Sequence, residues 1–183
     1  MNKVIGTALI KLADELDEKG LPEVEIIDEI LAEEGPSVGL EQLKAELNKD
    51  LEFEYAAMLQ YIQHAAVMQG AQFDSIRAEM LKHAEEEHAH AVKISDKINY
   101  LGGTPSINVE KIEISQVPEE MLMQDSIGEK LAIRRYKERI DQACEVGEYG
   151  LKDLLLSIIE EEEGHLNDLT VSLGISRDDV VQK

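Results

Sequence analysis

The stretch EYAAMLQY at residues 54–61 has a counterpart later in the chain, EKLAIRRY at residues 129–136, with Glu, Ala and Tyr in the same places. The tetrapeptides EHAH at residues 87–90 and EEGH at residues 162–165 follow these stretches at equal distances, and both have Glu and His three positions apart. We call positions related as Glu54 is to Glu129 repeat-equivalent. Glu and His at this spacing lie on one face of an α-helix. The repeat therefore predicts two equivalent helical hairpins, each with one single glutamate and one Glu/His pair.

Glycine and proline residues divide the chain around this repeat into long stretches with helical apolar spacing. We predict helices at residues 40–69, 73–101, 119–147 and 150–172. The segment between the second and third helices is longer than a bundle turn needs and can run the length of a bundle. The expected fold is all-α, an antiparallel four-helix bundle over residues 39–183 with a long crossover between helices 2 and 3.

Residues 1–38 are predicted to form a separate acidic extension, because apolar residues at helical spacing before and after Gly20 indicate a helical hairpin. Two interpretations of this extension are open. It packs on the bundle or at a subunit contact, or residues 1–36 dock a partner protein.

The charge balance limits the classes of partner. The chain has 39 acidic and 18 basic residues and a formal net charge of −21, which repels nucleic acid and anionic membranes and attracts cations. Because it contains no apolar run of roughly 18–20 residues, we expect neither a membrane span nor a targeting segment. The single cysteine, Cys144, excludes an internal disulfide and a CxxC iron site, and a cytoplasmic location fits best.

The apolar stripe of each predicted helix is interrupted near its middle by carboxylates and imidazoles. Buried carboxylates cost several kcal/mol unless they are protonated or bound to cations, and two divalent ions would balance four of them. We therefore predict a dimetal site whose ligands are Glu54, Glu87, His90, Glu129, Glu162 and His165. Mixed carboxylate and imidazole ligands favour two Fe(II) ions per chain, with Mn(II) or Zn(II) as competitors.

Other polar residues near the stripe have weaker signals. Tyr61 and Tyr136 are predicted to hydrogen-bond to the ligating glutamates and to assist catalysis, and the alternative is that they are ordinary core aromatics. His83 is either an outer group of the site or a structural histidine. Glu85 and His88 have the Glu/His spacing but lie off the stripe and outside the repeat, so we reject them as ligands. No role is predicted for His64 or Cys144.

Over about residues 44–170 the chain resembles the ferritin-like superfamily, and bacterioferritin most closely. The resemblance lies in the Glu/His motifs and in flanking strings that are more specific: EYAAMLQY at 54–61, LGGTP at 101–105, EEML at 119–122 and EEGH at 162–165. It implies a left-handed bundle that oxidises Fe(II) with dioxygen or peroxide and stores iron in a hollow homo-oligomer.

The resemblance also implies roles for the ligands. One iron would be bound by Glu54 and His90 and the other by Glu129 and His165, while Glu87 and Glu162 would bridge both. Bacterioferritins carry a haem-ligating methionine directly after the bridging glutamate of the second helix. Here that residue is His88, so haem is not expected.

Two other functions are consistent with the sequence. A peroxide reductase similar to rubrerythrin, or another diiron oxidase, would use the same ligands. Rubrerythrins, however, usually have a further glutamate where this chain has Ala132. An assembly or adaptor protein, in which metals only staple the bundle, is the second alternative.

Overall fold

The computed structural model describes residues 38–180, within which four long helices form the fold. These are α1 (Val38–Val67), α2 (Asp74–Tyr100), α3 (Pro118–Glu145) and α4 (Tyr149–Leu173), with short 3₁₀ helices at Ala71–Phe73 and Arg177–Asp179. The helix boundaries lie within two residues of those predicted, so the all-α four-helix prediction is confirmed. Residues 1–37 of the predicted extension lie outside the described residues.

Local sequence sets where α3 begins and where α4 ends. Pro118 occupies the start of α3, where a missing N–H removes no helical hydrogen bond, and Glu119 and Glu120 place negative charge at the positive end of the helix. At the other end of the second hairpin, Gly174 terminates α4 with a left-handed φ of 66°.

The long connection between α2 and α3 runs along α1. Near its start, the Asn48 side chain donates a hydrogen bond to the Thr104 carbonyl at 3.2 Å. Near its end, the Glu113 backbone N–H donates to Gln60 Oε1 at 2.7 Å. The crossover therefore follows α1 in the direction of that helix and delivers α3 to its far end, which makes α3 antiparallel to α1.

Two apolar clusters fill the bundle. One includes Leu47, Leu51, Ile94, Leu155 and Ile158, and the other includes Ala65, Met68, Met80, Met121 and Leu169. The buried polar residues of the repeat come between these clusters in every helix. Within residues 38–180, no helix has the length and apolar character needed to cross a membrane.

Candidate metal centre

The six residues predicted as ligands come together in the middle of the bundle, where all are buried. They form two overlapping groups, Glu54, Glu87, His90 and Glu162 in one, and Glu87, Glu129, Glu162 and His165 in the other. Within each group, one ligand atom per residue lies within 4.8 Å of all the others. Glu87 and Glu162 belong to both groups, so the arrangement has the form of two cation positions that share two carboxylates.

Both histidines turn the same ring nitrogen toward the carboxylates. His90 Nδ1 is 3.3 Å from one oxygen of each of three glutamates, Glu54, Glu87 and Glu162. His165 Nδ1 is 3.1 Å from Glu162 and 3.2 Å from Glu87. Nδ1 is therefore the nitrogen in position to bind a metal in both halves of the site.

The other nitrogen of each imidazole contacts an outer carboxylate. His90 Nε2 is 3.3 Å from Glu161 Oε2, and His165 Nε2 is 3.0 Å from Glu86 Oε2. A histidine that donates one N–H to a carboxylate has its tautomer fixed, with the lone pair on the other nitrogen. The sequence interpretation missed both glutamates, although Glu86 and Glu161 are themselves repeat-equivalent.

The two tyrosines reach across the bundle to the single glutamates of the repeat. The Tyr61 hydroxyl on α1 donates to Glu129 on α3, and the Tyr136 hydroxyl on α3 donates to Glu54 on α1. Both tyrosines are buried. Each hydroxyl therefore holds one carboxylate oxygen of the cluster in place.

A buried ion pair supports the cluster one helical turn before Glu54. Arg139 Nε donates to Asp50 Oδ2 at 2.8 Å, and Arg135 Nε lies 3.3 Å from Asp50 Oδ1. Asp50 and Arg139 are both buried, so this pair joins α1 to α3 inside the bundle.

The repeat-equivalent position before Glu129 holds an aspartate without arginine partners. His64 Nδ1 lies 3.0 Å from Asp125, and Gln60 Nε2 donates to Asp125 Oδ1 at 2.8 Å. His64 Nε2 is 3.1 Å from the Glu113 carbonyl, which ties the crossover to the site.

The repeat relates every member of these two supporting groups. The repeat-equivalent pairs are Asp50 and Asp125, Gln60 and Arg135, and His64 and Arg139. No role had been predicted for His64, and the repeat was the signal that could have found it.

Burial and mutual charge make the cluster hold protons. Burial raises the pKa of Glu129 to about 7, and the charge of Glu162 adds to the rise. The same two causes raise the pKa of Glu87. Burial alone would lower the pKa of His90 and His165, but hydrogen bonds to the carboxylates outweigh it and raise the pKa of both.

Several polar atoms of the cluster fit a cation better than they fit one another. Buried atoms without a hydrogen-bond partner among residues 38–180 include Glu54 Oε2, Glu87 Oε1, both carboxylate oxygens of Glu162, and His165 Nδ1. Leaving such atoms unpaired costs about 1–3 kcal/mol each, and more for charged groups. Two divalent cations would supply partners for these atoms and balance the four carboxylates, so the donor set fits a dinuclear metal site.

A cavity of about 260 Å³ reaches the cluster from the crossover side. Its wall includes Glu54, Tyr61 and Glu129 of the site, and Glu110 and Lys111 of the crossover. The volume admits water-sized molecules to the carboxylates between α1 and α3.

Residues 44–175 match the family model of the ferritin-like domain, which covers well over half of the chain. The chain belongs to the ferritin-like family. Bacterioferritin from Rhodobacter capsulatus is 31% identical over 130 residues, which cover 70% of this chain and 81% of the relative. Bacterial ferritin from a Synechocystis species is 30% identical over 133 residues, covering 72% and 85% respectively.

Solved structures show the same fold. A ferritin-like diiron-carboxylate protein from Bacillus anthracis superposes with a TM-score of 0.73 and 29% identity, over 75% of this chain and 99% of the other. The bacterioferritin of R. capsulatus, solved with a metal-free dinuclear site and a haem iron, gives a TM-score of 0.68 and 30% identity, over 73% and 84%. The ferritin-like bundle predicted from the sequence is therefore confirmed.

The protonated cluster predicts how metal and pH act together on stability. Groups whose pKa is raised on folding stabilise the folded chain only while they keep their protons, so the metal-free protein should melt at lower temperature as the pH rises from about 6 to about 8. Mn(II) should bind more tightly over the same range, because fewer protons compete. At free metal about 100-fold above Kd, each ion adds about 2.7 kcal/mol, or roughly 5–10 °C for a chain of this size.

The measurement is calorimetric melting of metal-free and Mn(II)-saturated protein at several pH values. Glu162→Gln and His165→Asn should lose the gain, whereas Glu85→Gln and His88→Asn, exposed on α2, should retain it. Equal melting temperatures with and without metal at every pH would contradict the prediction.

The outer glutamates are expected to set metal affinity without contacting the metal. Glu86→Gln and Glu161→Gln each replace the acceptor that fixes the histidine tautomer, so Mn(II) affinity should fall about 10–100-fold. Titration calorimetry measures this fall. Glu85→Gln and Glu160→Gln, the neighbouring exposed pair with the same spacing, are the matched controls. Equal affinity in all four variants would show that the outer carboxylates do not act on the histidines.

Proposed function

We propose that this protein is a ferroxidase that oxidises Fe(II) at the dinuclear cluster and stores or detoxifies the iron. The observation that carries the proposal is the pair of buried, overlapping ligand groups that share Glu87 and Glu162. It is supported by the likeness to a diiron-carboxylate protein and to a bacterioferritin with a dinuclear site.

In this proposal the chain divides six ligands between two irons. His90 and His165 each give Nδ1 to one iron, because their Nε2 atoms are engaged with Glu161 and Glu86. The terminal carboxylates are Glu54 and Glu129, and the bridging carboxylates, Glu87 and Glu162, hold both ions. With so few protein ligands, both irons keep coordination positions for small molecules.

The tyrosines orient the terminal carboxylates. Because Tyr61 holds one oxygen of Glu129 and Tyr136 holds one oxygen of Glu54, each of these glutamates has its other oxygen free for iron. Two Fe(II) ions supply two electrons in going to Fe(III). The oxidant, dioxygen or peroxide, takes up these electrons together with two protons.

Charge and access suit iron as cargo. A net charge of −21 raises the local concentration of Fe(II) and favours ferric oxide nucleation on the protein. The cavity beneath the crossover gives water-sized oxidants a route to the cluster. We place this activity in the cytoplasm and in a homo-oligomer, where iron leaving the site would be retained.

Iron retention is the decisive property. Fe(II) is added aerobically to the full-length protein in large excess over two per chain, and the soluble fraction is sized and assayed for iron. A storage protein should keep ferric iron well above two per chain. Glu129→Ala should slow the initial oxidation by roughly tenfold or more, because one iron loses its terminal carboxylate.

Two controls sharpen the assay. Glu85→Gln, a change of an exposed carboxylate outside the cluster, should oxidise and retain iron as the wild type does. If the wild type stops at two irons per chain but consumes peroxide repeatedly with a reductant, storage is wrong and a rubrerythrin-like peroxide reductase takes its place. Metal binding without oxidation would instead favour the metal-stapled adaptor.

Haem is not expected to bind in stoichiometric amount. The residue directly after Glu87 is His88, an exposed histidine, in place of the methionine that bacterioferritins use as haem ligand. Protein purified from cells supplied with a haem precursor should show no Soret absorbance in proportion to chain. A Soret band that disappears in His88→Ala would contradict this prediction and assign the ligand.

A further inference from the structure

His83 is a buried imidazole on α2 that the six-residue cluster does not use. Its exposed fraction is 0%, and among residues 38–180 neither ring nitrogen has a hydrogen-bond partner. Nε2 points toward two carboxylates, 3.6 Å from Asp168 Oδ2 on α4 and 3.7 Å from Glu79 Oε1 on α2. One ligand atom of each residue lies within 4.8 Å of the other two.

These separations are too long for hydrogen bonds but fit a shared cation. A hydrogen bond between nitrogen and oxygen spans about 2.7–3.2 Å. Two ligands bound tetrahedrally at about 2.0–2.2 Å from one ion stand roughly 3.3–3.6 Å apart. The imidazole and the two carboxylates are thus spaced as ligands of one ion rather than as donors and acceptors to one another.

The other half of the repeat shows that the fold does not require this trio. The residues repeat-equivalent to Glu79, His83 and Asp168 are, in the same order, Leu154, Ile158 and Lys93. Ile158 is buried without exposure, as His83 is. An apolar side chain therefore fills the equivalent place, and a buried histidine without partners needs another explanation, which a bound ligand supplies.

We propose that Glu79, His83 and Asp168 bind a third divalent cation, at a mononuclear site separate from the six-residue cluster. One imidazole and two carboxylates favour Zn(II), Fe(II) or Mn(II) over Mg(II), which prefers oxygen ligands alone. Lys82 Nζ donates to Glu79 Oε1 at 3.0 Å and also lies 3.6 Å from Glu86 Oε1. Lys82 therefore has a second carboxylate to turn to when a cation binds Glu79.

The third site lies between solvent and the dinuclear cluster. The side chains of Glu79 and Asp168 are 36% and 43% exposed, so a cation reaches them from the surface. On the inner side, the His83 ring stacks on His165 with centroids 4.1 Å apart and an angle of 26°. The site uses none of the six cluster residues and stands whether or not the protein oxidises iron.

The test counts Zn(II) ions per chain, because zinc binds the same donors and cannot be oxidised. Full-length metal-free protein is dialysed against Zn(II) with excess Mg(II), which occupies the exposed carboxylates, and zinc is measured by mass spectrometry. The wild type should hold three ions, and Asp168→Asn, a surface change, should hold two. His83→Ile, which installs the residue of the equivalent position, should also hold two and melt without metal no lower than the wild type.

Controls separate the third site from the cluster. His88→Asn, on the exposed face of α2, should still hold three ions, and Glu54→Ala should not remove the ion that Asp168→Asn removes. A zinc-edge anomalous peak should lie beside His83 in crystals of the wild type and be absent from those of Asp168→Asn. The proposal is overturned if Asp168→Asn and His83→Ile both bind as much zinc as the wild type.

Discussion

Four carboxylates buried together in an apolar bundle impose the constraint on which the rest of the structure depends. Each is penalised by the loss of water, and each repels the others. The bundle meets this cost with positive charge, either as protons on Glu129, Glu87 and the two imidazoles or as bound cations. The cluster is therefore a site where metal and protons exchange for one another.

The duplicated hairpin places these charges in pairs. Because α1 and α3 are antiparallel, a tyrosine on one helix meets the glutamate on the other, and this happens twice, at Tyr61 with Glu129 and at Tyr136 with Glu54. The supporting aspartates follow the same symmetry but differ in chemistry. Asp50 faces arginines, which balance its charge, whereas Asp125 faces an amide and an imidazole that also anchors the crossover.

The sequence predicted the bundle, the helix bounds and the six clustered residues, because each depends on spacing within one helix and on the repeat. It did not predict the partners of Asp50 or Asp125, nor the role of Glu86 and Glu161. Those contacts depend on the register between helices, and an isolated surface glutamate in an acidic chain has no distinctive spacing. The repeat would have revealed them if it had been applied to every polar residue rather than to the motif alone.

The same comparison of halves also reveals where the symmetry is broken. The α1/α3 side carries a cavity that leads to the carboxylates, while the α2/α4 side presents ring nitrogens backed by outer glutamates. On that second side one half has Lys93 paired with Glu161, and the other half has Asp168 in the equivalent place beside His83. A lysine supplies positive charge permanently, whereas an aspartate near a neutral imidazole leaves negative charge unbalanced. The two iron positions of the proposed centre are therefore not electrostatically equivalent, even though their own ligands are the same.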